Sequence, residues 1–175
     1  GVTSIGINAF ANTQLTSVVI PEGTTVADNA FDAGVVQITG GVLTTQNAQD
    51  LVAQNTDVVI PEGVTSIGNA AFQFTPLSSV DLPSTLTSIG DAAFFGTQLT
   101  SVDLPSTLTS IGDAAFFGTP LSSVVIPEGV TSIGINAFAN TQLTSVVIPE
   151  GTTVADNAFD AGVVQITGGV LTTQN

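Results

Sequence analysis

Carboxylates are the only ionisable side chains in this sequence: Asp and Glu number 14, and Lys, Arg, His, Cys and Tyr are all absent. Chemistry from carboxylates alone takes two forms. Two of them opposed across a cleft can hydrolyse a glycoside, and two or more brought together can hold a hard cation such as calcium. The pair whose spacing brings it closest to the second form is Asp81 and Asp103, 22 residues apart. On adjacent strands of a repeat this puts their backbones about 4.8 Å apart, where like charges repel by roughly 1 to 3 kcal/mol. No cationic side chain can offset that repulsion, so Asp81 and Asp103 are the weak candidates for a metal, with salt screening as the plainer relief. Catalysis finds less support. General acid–base work at neutral pH calls for His or a tuned carboxylate, and nucleophilic catalysis for Ser with a base. A repeating coil spaces its acids along ridges instead of opposing them. No catalytic or cofactor-binding residue is assigned, and the chain is not expected to be an enzyme. Gly40-Gly41 and Gly168-Gly169 lack the Lys and Ser/Thr context of a phosphate loop.

The elements that carry these residues repeat. Residues 1–47 recur letter for letter as 129–175, a period of 128 residues. Within it, Pro61, Pro83, Pro105, Pro127 and Pro149 follow one another at 22-residue steps, as do Ile67, Ile89, Ile111 and Ile133. A fixed period of this size marks a solenoid in which each coil contacts only its neighbours. The expectation is one continuous solenoid over 1–175, of about eight coils, with nothing obliged to converge on a pocket.

Composition limits the partners. A formal charge of −14 without a single cation removes every phosphate-neutralising contact that nucleic-acid binding needs and the polybasic segment that anionic lipid attracts. No apolar run approaches the roughly 20 residues of a membrane span. With no Cys there is no disulfide framework and no zinc–thiolate site. A chain without Lys or Arg offers trypsin-like proteases no cleavage site, which suits an extracellular or cell-surface setting; a biased unit expanded by duplication explains the same gaps.

Each coil keeps six apolar positions, for example Leu86, Ile89, Phe94, Leu99, Val102 and Leu104. Val102 and Leu104 flank Asp103 with the period of a half-buried strand, ended by Pro105, which cannot donate to a ladder. The following Ser-Thr or Glu-Gly supplies a turn. Gly-Asp-Ala-Ala-Phe and Gly-Ile-Asn-Ala-Phe predict one helical or 3₁₀ turn capped by Asp91, Asp113, Asn8 and Asn136. The Phe is expected to point inward and stack on its neighbour through Phe10, Phe31, Phe72, Phe94, Phe116, Phe138 and Phe159.

IPEGVTSIGNAAF, LPSTLTSIGDAAF and IPEGVTSIGINAF resemble the BspA-like leucine-rich repeat of bacterial surface proteins. The resemblance implies a curved, right-handed leucine-rich-repeat coil with one short parallel β-strand per turn and short helical or 3₁₀ turns, in extracellular proteins that adhere, interact or assemble. Where that family often carries Cys, this sequence has Thr13, Thr75, Thr97, Thr119 and Thr141.

One coil differs. Strand positions at Val18, Val36, Val58, Val80, Val102, Val124, Val146 and Val164 step by 18, five times by 22, and by 18 again. In the coil after the short step, Ala48, Leu51 and Val52 lie at helical spacing behind Thr44 or Thr45, which predicts a short helix. It is either a coil that caps each block or a kink in a continuous fibre.

Three surface rows remain. The outward strand position reads Val19, Gln37, Val59, Asp81, Asp103, Val125, Val147 and Gln165. A contiguous apolar row marks an interface, so Val19, Val59, Asp81, Asp103, Val125 and Val147 are its candidate residues, against plain β-propensity at a half-wet site. Ile7, Ile135, Phe95 and Phe117 are expected to form an apolar stripe on another face. Thr3, Thr65, Thr87, Thr109 and Thr131 form a hydroxyl row, the basis of a minor ice-binding reading. Uncapped sheet edges at the solenoid's ends propagate contacts instead of closing them. The expected function is a structural extracellular repeat segment of a large self-assembling fibre, sheath or surface protein, its partners other copies of itself, end to end and laterally. The alternative is an adhesin or binding module presenting its surface to a protein partner.

Overall fold

The computed structural model describes residues 1–168 and 170–172. The chain winds into a parallel-strand solenoid of about eight turns with little helix. The continuous sheet lies in the Thr-Ser-Ile segment of each coil. Two-residue strands at Val42–Leu43, Ser66–Ile67, Ser88–Ile89, Ser110–Ile111, Ser132–Ile133 and Thr153–Val154 pair in parallel as six neighbours. Their Ile side chains turn inward, with Ile67, Ile89, Ile111 and Ile133 at 0–2% exposure. Thr87, Thr109 and Thr131 each donate a backbone N–H to the Thr carbonyl one coil earlier at 2.8 Å.

The Val column, where strands were expected in every coil, pairs only at Ser17–Ile20 with Val36–Thr39, at Asp57–Val59 with Ser79–Asp81, and at Ser145–Ile148 with Val164–Thr167. Around Val102 and Val124 the inward side chains still fill the core, Val102 and Ile126 being buried, but no ladder forms there.

The predicted capped helical turn is two overlapping turns. Ala71 N–H donates to Gly68 O at 3.3 Å and Gln73 N–H to Ala70 O at 3.2 Å. The residue that opens the second turn is left-handed: φ is +54° at Ala70, +53° at Ala92, +51° at Ala114, +56° at Asn8 and +57° at Asn136. A left-handed residue ends any helical run, so Asn8 and Asn136 occupy the strained position and do not cap it.

The Phe spine forms as expected over most of its length. Phe72, Phe94, Phe116, Phe138 and Phe159 stack with centroids 5.1–5.3 Å apart, and Phe10 stacks on Phe31 at 5.1 Å. Between Phe31 and Phe72 the ladder is interrupted by the predicted helix, Thr45–Gln54, capped by Thr44 in a reciprocal box with Asn47. Ala48 and Leu51 are buried in place of a ring.

At the short step the core divides. Ile20, Ala30 and Phe31 form one small cluster with Val18 packed against it. Val36, Ile38 and Leu43 open the large cluster that runs through to Phe159, with Val19 packed against it. The ladder pairs Val18 with Gln37 and Val19 with Ile38, one residue beyond the alignment of Val18 with Val36. Because side chains alternate across a strand, a slip of one exchanges its faces. The Ser17–Ile20 strand therefore serves one core with Val18 and Ile20 and the other with Val19.

Candidate functional site

The Ser-Ile sheet builds a groove of about 590 Å³ that crosses five coils. Three columns line it: Ser66, Ser88, Ser110, Ser132 and Thr153; Gly68, Gly90, Gly112 and Gly134; and Asn69, Asp91 and Asp113. Each Asn or Asp reaches one coil ahead. Asn69 Oδ1 accepts the N–H of Asp91 at 2.9 Å, Asp91 Oδ1 that of Asp113 at 2.9 Å, and Asp113 Oδ1 that of Ile135 at 2.7 Å. To make this reach, the carboxyl passes over the glycine of the next coil: a Cβ on Gly112 would sit 2.6 Å from Asp91 Oδ1 and 2.6 Å from the carbonyl carbon of Gly90. The glycine column follows from that close approach. Ser88 Oγ meets Ser66 Oγ at 3.0 Å, so the floor of the groove is a row of hydroxyls flanked by carboxylates, suited to ligands that donate hydrogen bonds or carry positive charge.

Sequence reasoning missed this groove. Its strand has two polar residues side by side, Thr87-Ser88 between Leu86 and Ile89, so the period-two signal was absent. The usable signal was the invariant Gly after each Ile.

The outward Val row is largely where spacing put it. Val59, Val125 and Val147 are 65%, 79% and 54% exposed, and Asp81 and Asp103 are exposed beside them. Asp81 lies opposite Val59 in the ladder. Val19 departs from the row, being half-buried against the large core. Among the described residues no three acidic groups converge as a cation would need.

The expected stripe of Ile7, Ile135, Phe95 and Phe117 splits. Ile135 receives the Asp113 contact and so continues the Asn/Asp column, while Phe95 and Phe117 stack on each other at 4.8 Å. Phe74 adds its ring edge-on to Phe95 at 5.0 Å. It is 71% exposed and left-handed at φ +56°, where Gly96 and Gly118 stand in the next coils. Most of the Thr hydroxyl row is spent within the fold: Thr87, Thr109 and Thr131 donate Oγ1–H to the preceding Thr carbonyl at 2.9, 2.9 and 3.1 Å, and Thr65 to Gly41 O at 3.4 Å.

Comparison with known proteins agrees with this architecture. The family model of the BspA type leucine rich repeat region matches in six copies over residues 1–36 and 50–162. The chain belongs to the BspA-type leucine-rich repeat family. Between the two matched stretches, 37–49 holds Gly40-Gly41 and the first turn of the inserted helix, the coil that departs from consensus. A leucine-rich repeat protein from Bacteroides ovatus ATCC 8483 has a similar fold, with a TM-score of 0.58 and 24% identity over 96% of this chain. The chain spans 42% of that structure's length. No curated protein matches the sequence.

In this BspA-type repeat, the Thr three residues after a spine Phe has a visible role. Thr75, Thr119 and Thr141 return their hydroxyl hydrogen to the carbonyl of the Phe three residues back, at 2.8–2.9 Å. Thr97 is the exception: its hydroxyl is buried without a partner.

Proposed function

We propose that the chain is a structural repeat segment of a large extracellular fibre, sheath or surface protein, a non-enzymatic scaffold that associates with other copies of itself. BspA-type repeats are typically surface-associated, and no described helix is long and apolar enough to cross a membrane. The observation that carries the reading is the outward row: Val59, Val125 and Val147 expose more than half of their surface on one face of a chain of charge −14. Val125 and Val147 are neighbours in that row, with Asp81 and Asp103 between them and Val59, and an exposed apolar pair in so acidic a protein favours lateral packing on another copy. Sedimentation and electron microscopy test it. Ordered side-by-side assembly that is lost in Val59→Asp/Val125→Asp supports the proposal; dispersed particles at every concentration refute it.

A second reading, a binding module for a protein partner, draws on the Ser, Gly and Asn/Asp groove. Its hydroxyls and the outer carboxylate oxygens of Asp91 and Asp113 suit a cationic segment. Retention of an Arg-rich peptide by the chain, abolished in Asp91→Asn/Asp113→Asn, would favour this reading.

A further inference from the structure

Among the ten Phe residues, Phe74 alone has a positive φ, and it is 71% exposed. The core has no use for it. The spine position of its coil is filled two residues earlier by Phe72, fully buried and stacked on Phe94. At the turn position of Phe74 four other coils carry Asn12, Gly96, Gly118 and Asn140, with φ from +55° to +69°. Asn and Gly tolerate that left-handed backbone, whereas a bulky side chain is strained there. A strained, exposed ring that packing does not call for points to function.

The ring is anchored by its edge. Phe95 is stacked on Phe117 of the next coil at 4.8 Å and 13°, so its other face looks back toward Phe74, which meets it at 73° with centroids 5.0 Å apart. The Cδ1–Cε1 side of Phe74 lies over Gly96, where a Cβ would come 2.8 Å from Cδ1 and 3.1 Å from Cε1. The Phe74 N–H donates to the Phe95 carbonyl at 2.8 Å, which fixes the backbone under the ring. An aromatic ring is positive at its edge and negative on its faces. Phe74 spends its edge on Phe95 and Gly96 and turns its faces to water, so what it presents is negative. The chain around it has a charge of −14 and no cation of its own to cover the ring. Ring face and protein field both select a cation.

We infer that Phe74 is the anchor for an arginine of another protein, the guanidinium lying flat on the open ring face. Arginine fits better than lysine because its planar, weakly hydrated head stacks on an aromatic ring. A second copy of this chain has neither residue, so the partner is a different protein. The contact needs neither the Val row nor the Asp91 and Asp113 groove.

The full chain is titrated with the capped peptide Gly-Gly-Arg-Gly-Gly and with its citrulline counterpart, which keeps the side-chain shape and removes the charge. Proton NMR reads the peptide: protons beside a guanidinium stacked on the ring move upfield. The expected result is a saturable upfield shift with arginine, absent with citrulline and lost in Phe74→Gly. That variant should unfold as cooperatively as the parent by circular dichroism, since glycine is what the next two coils carry there. Phe74→Leu keeps the apolar bulk without the negative face and should weaken binding about 2- to 5-fold. Asp91→Asn/Asp113→Asn should leave the shift in place, which separates this contact from the groove. The inference is overturned by no shift, by an equal shift with citrulline, by a shift that survives Phe74→Gly, or by Phe74→Leu binding as tightly as the parent. Self-association of the parent that Phe74→Gly abolishes would also overturn it, by giving the ring to a second copy.

Discussion

Gly112→Ala probes the close approach of the coils directly. The added methyl would lie 2.6 Å from Asp91 Oδ1, 2.6 Å from the Gly90 carbonyl carbon and 2.7 Å from Asp91 N. Two of those three atoms are backbone, so the coils must part instead of a side chain turning aside. Parting strains the Gly112 N–H to Ile89 O bond of 2.9 Å and the Asp113 N–H to Asp91 Oδ1 bond of 2.9 Å. Overpacking costs about 1 to 3 kcal/mol and each of the two weakened hydrogen bonds about 1 kcal/mol, so the loss is about 3 to 5 kcal/mol. For a chain of this length that lowers Tm by about 6 to 20 °C. Gly118→Ala is the control: φ there is +69° and a Cβ meets nothing within 4 Å, leaving only the left-handed penalty of about 1 kcal/mol. Urea unfolding followed by circular dichroism compares the two. A Gly112→Ala variant within 0.5 kcal/mol of the parent, or no more costly than Gly118→Ala, would refute the reasoning (thresholds set roughly from the size of these terms).

Further outcomes follow from single residues. Thr97→Val removes a buried hydroxyl without a partner and should raise stability by about 1 kcal/mol, whereas Thr119→Val breaks the 2.8 Å bond to Phe116 O and should lower it by a similar amount; thermal unfolding of the pair shows opposite signs. Ala92→Asn places at φ +53° the residue type that Asn8 and Asn136 already supply there, and should gain about 0.5 kcal/mol in the same assay. Screening relieves the mutual repulsion of 14 uncompensated acids, so Tm rises from low salt to about 0.15 M sodium chloride. EDTA leaves Tm unchanged on this account; a drop that Asp81→Asn/Asp103→Asn abolishes would instead place a divalent cation on that pair.

What could be read from the letters was the stacking, and what could not was the face each strand turns. The 22-residue recurrence of Ile89, Phe94 and Leu99 locates the core because each coil repeats the same burial. The helix was legible from Ala48, Leu51 and Val52 behind Thr44 because an apolar 3.6-residue spacing has one meaning. The Thr-Ser-Ile sheet escaped because a two-residue strand carries too short an alternation to register. The turn at Ala92 escaped for a different reason: Ala is a good helix former, and only the crowding of adjacent coils drives it left-handed. The division of the core depends on a single-residue slip between Val18 and Gln37, which shifts every side chain to the opposite face while leaving the apolar content unchanged. In the candidate site, exposure of Val59, Val125 and Val147 followed from spacing. The reach of Asp91 over Gly112 depends on distances between coils, which spacing does not give.

The central claim is that successive coils stack in register, each covering the apolar flank of the one before. Nuclear Overhauser contacts between specifically labelled phenylalanine rings test it most directly. Phe94 and Phe116, 5.1 Å apart between centroids, should show a strong cross-peak, as should Phe116 and Phe138 at 5.1 Å, while Phe94 and Phe138, two coils apart, show none. A missing Phe94–Phe116 cross-peak, or a direct one between Phe94 and Phe138, would contradict the stacked solenoid.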